Sequence, residues 1–106
     1  MYLIYVASNV IALLEETDSK IQAVALEQLH AVVDSYWSEI ADAVPLIESL
    51  SEDPAFSHRQ LAASVASKCF FHLEEYSEAL RLAMAAGEYF DINCKSQYTE
   101  TLIGTF

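Results

Sequence analysis

Apolar residues recur along this chain at intervals of three and four, the repeat of an α-helix with one buried face. No run shows the period-two alternation of a half-buried strand. The pattern is fullest between Phe56 and Asn93. Leu61, Ala62, Val65, Ala66, Cys69, Phe70 and Leu73 make one stripe, and Tyr76, Ala79, Leu80, Ala83 and Met84 make a second. Only His72 to Glu75 separate the two arms, so they predict an antiparallel helical hairpin. Ser57 with Gln60 forms a capping box at its start, and Gly87 supplies a left-handed stop at its end.

The N-terminal half repeats the theme. A first helix is expected over Ser8 to Glu16, with Val10, Ile11, Leu13 and Leu14 apolar. Thr17, Asp18 and Ser19 break it, and Ser19 with Gln22 forms a second capping box. The next helix runs to about Val33, burying Ile21, Ala25, Leu26, Leu29, Val32 and Val33. Asp34 and Ser35 then cap a third helix carrying Tyr36, Trp37, Ile40 and Val44. Pro45 lacks an N–H and clashes with the preceding turn, so it kinks or restarts that helix. Leu46, Ile47 and Leu50 continue the stripe to Ser51, and Ser51 to Ala55, with Pro54, form a linker. Ser96 caps a last helix from Gln97, where Leu102, Ile103 and Phe106 share a face.

These elements define an all-α chain. A hairpin so short, with alanines at its crossing points, does not bury both faces alone; it is built to stack on neighbours as part of an α-solenoid. Residues 1–106 are expected to be a single α-helical repeat segment of stacked antiparallel hairpins, incomplete at its C-terminal end. The last helix is too short to hold without packing. An uncapped end at Leu102, Ile103 and Phe106 predicts weak self-association.

Composition narrows the function. The hydrophobic content of 54% is high for 106 residues, which leaves apolar surface for a partner. Two glycines and two prolines favour helices with few tight turns. The net charge of −11, with Lys20, Arg59, Lys68, Arg81 and Lys95 scattered, opposes a nucleic-acid partner, which needs a clustered cationic face. An anionic membrane is disfavoured for the same reason. The first 14 residues are uncharged, yet too few to span a bilayer, and no basic residue precedes Lys20 as a secretory leader would require. Cys69 lies on an apolar stripe and Cys94 in a loop, which is no disulfide framework and fits a reducing compartment.

Constellations for chemistry are thin. Cys69 and His72 are three apart, but His30 and His58 lie in other segments, short of the ligands a zinc site needs. Glu74, Glu75 and Glu78 sit at the start of a helix, where carboxylates favour the positive helix end. Gly87 and Gly104 make no phosphate loop, and no serine occupies a nucleophile elbow. Trp37 reads as core beside Ile40 and Val44, and Phe56, Phe70, Phe71, Tyr89 and Phe90 as packing. No catalytic, cofactor-binding or metal residue is assigned.

Particular wording adds a family. The run Leu29 to Ile40 resembles the L-x-A-V-V-x-x-aromatic-W-x-E-I stretch near the N-terminus of the 26S proteasome non-ATPase regulatory subunit 1 family, the large scaffold of the regulatory-particle base. Arg59, Ala62, Ala63, the run Val65 to Lys68, Phe71, His72 and Leu73 are similar to its R-x-x-A-A-x-V-A-S-K-x-x-aromatic-H-L segment. Glu78, Leu80, Ala83, Ala86, Gly87 and Phe90 follow its next helix and stop. Ser96, Tyr98, Glu100, Thr101 and Ile103 look like its S-x-Y-x-E-T-x-I continuation. The resemblance runs from about Val10 to Ile103; Met1 to Val6 and Gly104 to Phe106 depart from it. Family members are many times longer, with downstream helical repeats, which leaves open a fragment, a truncated or misassembled gene product, or a natural short protein.

The resemblance implies a non-catalytic scaffold in the cytoplasm and nucleus, with other regulatory-particle subunits as partners, acting in ubiquitin-dependent degradation and needing no cofactor. An independent tetratricopeptide-like adaptor is the alternative. Leu73 to Leu80 resembles such a repeat, although a period of about 34 residues is absent across the chain.

Overall fold

The computed structural model describes residues 9–91, 93 and 96–105. After helical residues at 9–13 come α1 (Ser19–Ile40), a 3-10 turn (Ala41–Ala43), α2 (Val44–Glu52), α3 (Arg59–His72), α4 (Tyr76–Ala85), a second 3-10 turn (Gly87–Tyr89) and α5 (Gln97–Thr105). No strand occurs among the described residues. The expectations for Met1 to Val6, Ser8, Cys94, Lys95 and Phe106 fall outside them.

Helix α3 organises the rest, packing against α1, α2 and α4, while α5 packs on α4. The seven consecutive residues from Leu61 to Ser67 are all buried. The expected single stripe on this helix is therefore a correction: α3 is covered on every side for about two turns. Its alanines and serines explain this, since small side chains let neighbouring helices approach closely whichever way they face. The paired helices stack into a slab 36 × 35 × 21 Å across its Cα atoms, its thickness about two helix diameters. The all-α, stacked-hairpin architecture is thus present.

Helix α1 shows how packing carries one register through a local break. The break expected at Asp34 and Ser35 falls one residue on: within the span Ser19–Ile40 two helical segments meet in a kink at Tyr36, whose φ of −121° and ψ of 23° are non-helical. Leu26, Leu29, Val33 and Ile40 keep one register against the core across the kink. Proline behaves as its ring requires. Pro45 sits in the first turn of α2, where no N–H is needed, and a 3-10 turn joins it to α1.

Neither capping box forms. Asp18 caps α1, its Oδ1 accepting from the Lys20 N–H at 2.8 Å. Gln22 instead donates its side-chain amide to the Leu14 carbonyl at 3.0 Å, satisfying the end of the preceding helical residues. Ser57 Oγ lies 3.0 Å from His58 Nδ1, and the His58 N-cap of α3 has no side-chain capping bond. The linker falls at 53–58 rather than Ser51 to Ala55. Asp53 Oδ1 accepts from the Ala55 N–H at 2.9 Å, and buried Phe56 pins the crossing to the core.

Two helices end through left-handed residues. At the foot of α3, Glu75 N–H donates to Phe70 O at 2.9 Å and Glu74 N–H to Phe71 O at 3.0 Å, a Schellman motif with Glu74 at φ +62°. Past α4, Gly87 takes φ +59°, as expected of a stop.

Candidate interaction surface

Trp37, Ser67, Lys68, His72 and Tyr98, which carry the family resemblance, meet His30, Asp34 and Ser64, which stand at its unspecified positions, in one seam contributed by α1, α3 and α5. On α1, His30 and Asp34 are four apart; on α3, Ser64, Lys68 and His72 are spaced by fours. Each set lies on one side of its helix. His30 Nε2 shares a hydrogen bond with Ser64 Oγ at 3.1 Å, and His72 Nε2 with Asp34 Oδ1 at 3.1 Å. Trp37 lies flat on the His72 ring, centroids 5.5 Å apart and planes 8° from parallel. One turn inward, Ser67 Oγ donates to Ala79 O at 2.6 Å and shares a 2.6 Å hydrogen bond with Tyr98 OH, so one serine ties α3 to α4 and α5. Lys68 Nζ stands 5.6 Å from the centroid of the Tyr98 ring.

The seam's electrostatics follow from burial. Partial burial and the nearby Lys68 hold His30 below its ordinary value of 6.5, with Asp34 opposing. Burial pushes the Cys69 thiol up to about 12, with Asp34 adding to it, so the sulfur is a packed apolar group rather than a nucleophile. The Tyr98 hydroxyl is also raised, chiefly by burial, against the Ser67 hydrogen bond. No group of three or more His, Cys, Asp or Glu side chains converges for a metal among the described residues. His72, offered at the sequence level as a partner for Cys69, is committed to Asp34 and Trp37. Trp37 is half-buried against the core, as expected.

Beside the seam, Asp34, Lys68, Tyr89, Asp91, Ser96, Tyr98 and Thr99 line a cleft of about 250 Å³. None of these cross-helix partners was paired by sequence reasoning, because 31 to 38 residues separate the members of each pair. The fourfold spacing of His30 and Asp34 on α1 and of Ser64, Lys68 and His72 on α3 is the signal that reveals the seam.

The outer face corrects other expectations. Met84 and Leu73 are exposed, and the buried side of α4 is Ala79, Leu82 and Ala83, continuing at Ala86. Leu102 is fully buried against Ala79 and Ala83. It is thereby removed from the expected self-association face, leaving Ile103 half exposed. Arg81 bridges Glu48 of α2 and Glu78 of its own helix, the latter at 3.2 Å. A second depression of about 390 Å³, lined by Leu13, Lys20, Ile21 and Val24, opens between the leading helical residues and α1. No helix among the described residues is long and apolar enough to cross a membrane.

Interlocked helical pairs with half-exposed faces define a class: a segment of a helical-repeat protein. More specifically, the chain belongs to the family described as the 26S proteasome subunit RPN2, N-terminal domain, whose model matches residues 6–106. It is 47% identical over 97 residues to the 26S proteasome regulatory subunit RPN2 of Eremothecium gossypii and 44% identical to that of Saccharomyces cerevisiae. It is 42% identical to the 26S proteasome non-ATPase regulatory subunit 1 of Drosophila melanogaster. Each match covers 92% of this chain and 10% of the relative, so the chain spans about a tenth of the length of the curated relatives it matches.

Proposed function

We propose that this chain is a non-catalytic scaffold segment of the 26S proteasome regulatory particle, supporting subunit assembly for ubiquitin-dependent protein degradation. The observation that carries the reading is the sustained identity to named regulatory subunits over nine-tenths of the chain. The physical picture agrees. A helix buried on all sides, tied to its neighbours by Ser67 and by the Asp34–His72 contact, makes a stiff unit whose outer faces are free for other subunits. Its partners on this reading are other regulatory-particle subunits, in the cytoplasm and nucleus, and it carries no protease or ATPase chemistry of its own. The acidic surface keeps nucleic acid away.

The test is a chimera. The corresponding N-terminal tenth of the Saccharomyces cerevisiae relative is replaced by this chain, and particle assembly is followed on native gels. Capped 26S particles at the parental level are the expected result. Accumulation of uncapped core particle, with the chimera stable and soluble, would count against the scaffold reading.

A further inference from the structure

The kink in α1 has no cause in a breaker residue or in the core. No proline or glycine lies within Ser19–Ile40. Val33 and Ile40, the buried residues on either side of it, are seven apart, so an unbroken helix would present both to the core on nearly the same line. Asp34 could cap a restarted segment, but the hydrogen bond its carboxylate accepts comes from His72 Nε2, at 3.1 Å, and not from a backbone N–H. His72, from the last turn of α3, touches both sides of the kink. It holds Asp34, two residues before Tyr36, and lies flat on Trp37, one residue after, with the ring planes 8° from parallel. The ring is itself braced: Phe71 meets it edge-on at 5.1 Å and meets the Tyr98 ring of α5 at 5.4 Å.

We infer that His72 is a clasp that holds α1 bent at Tyr36, so that this one side chain of α3 sets the angle at which the last turn of α1 leaves the rest of the helix. Helix α3 is the fixed partner, because it is enclosed from Leu61 to Ser67 and closed by a Schellman motif directly after His72. Helix α1, with one face in solvent, is the part that adapts. The 3-10 turn and α2 follow from that last turn, so the clasp also aims α2, and with it Glu48, at Arg81 of α4. His72 is in this sense a positioning residue. Loss of its ring removes both contacts, and Tyr36 then returns from φ −121° to the helical value of about −63°.

The test reads the three-bond coupling between the amide and α protons of Tyr36 in the whole chain, which is large at φ −121° and small in a helix. The parent is expected to show the large value. His72→Ala is expected to bring it down to that of the helical neighbours Val32 and Val33, while the methyl resonances of Leu29 and Val33 stay in place to show an intact core. Asp34→Ala, at an exposed position where folding is not at risk, removes one arm of the clasp and is expected to give a value between the two. Ser67→Ala loosens α3 away from the clasp and is expected to leave the coupling large. A large coupling retained in a folded His72→Ala overturns the inference and leaves the kink to the local sequence. If His72→Ala does not fold, the full parental value in Asp34→Ala overturns it. So does a helical coupling in the parent, or an equal fall in Ser67→Ala, which would trace the change to general loosening.

Discussion

Helices α1 and α3 lie side by side, yet they are buried on opposite principles. Helix α1 is a one-sided helix of large residues: Leu26, Leu29, Val33 and Ile40 face the core, while Val24, Glu27 and Asp34 look outward. Helix α3 is small-residued and submerged, with Leu61 to Ser67 out of solvent on every side. One helix fills space with its side chains; the other yields space so that neighbours close around it. Their failure modes should differ accordingly, the first by leaving holes and the second by losing clearance or hydrogen bonds.

The largest expected effect comes from α1. Leu26→Ala removes a fully buried leucine from the main cluster and should cost about 3 kcal/mol in chemical denaturation. The neighbouring Val24→Ala, on the exposed side, should stay within about 0.5 kcal/mol. Similar losses for both would mean the helix has no one-sided face.

In α3 the sensitive groups are polar. Ser67→Ala leaves the Tyr98 hydroxyl, raised by burial, without its serine partner and should cost about 2 kcal/mol. A neutral result would show that the serine only fills volume. Ser64→Ala, whose partner His30 is less enclosed, should cost less.

The two left-handed helix ends offer a matched pair of opposite sign. Gly87→Val places a β-branched residue at φ +59°, where a Cβ would also come within 2.7 Å of Gln60 Nε2, and should destabilise by about 1–2 kcal/mol. Glu74→Gly relieves the same strain at φ +62°. After the extra freedom of glycine in the unfolded chain is subtracted, it should stabilise by about 0.5–1 kcal/mol. A loss at Glu74 would mean that its side chain contributes more than its backbone strain removes.

The smallest effect concerns pH. His30 is held below its ordinary value by burial and then by Lys68, so the folded chain binds its proton less readily than the unfolded one. Its contribution is full above the unfolded value of about 6.5 and is lost as pH falls through the lower folded value. Unfolding curves of His30→Gln between neutral and mildly acidic pH should fall less steeply than those of the parent. Parallel curves would contradict this assignment.

Much of the architecture can be read from periodicity, because helices with large residues advertise their faces. The hairpin, the restart at Pro45 and the left-handed Gly87 follow from spacing and single-residue sterics. The failures have equally physical causes. Met84 and Leu73 obey the helical period yet lie outside, since hydrophobicity alone does not set the phase of a stripe that Leu82 and Ala86 also fit. The break signalled by Asp34 and Ser35 is present one residue on, as the Tyr36 kink, but the buried register runs through it and keeps the two segments in one line. Submergence of α3 is invisible in a stripe analysis, because its polar positions are serines whose hydroxyls find partners only in the folded state. The seam's pairings are long-range and have no local code. Family wording pointed to Trp37, Ser67, Lys68, His72 and Tyr98 without saying what they touch, and it left their partners His30, Asp34 and Ser64 unspecified.

The central claim, that this chain is a regulatory-particle scaffold segment, is tested most directly by affinity purification of the endogenous tagged product from cell extract. Mass spectrometry then identifies what accompanies it. Regulatory-particle subunits recovered in near-equal amounts with the tagged chain are the result expected here. A stable, soluble product that emerges free of every proteasome subunit would contradict the account and favour a separate helical adaptor.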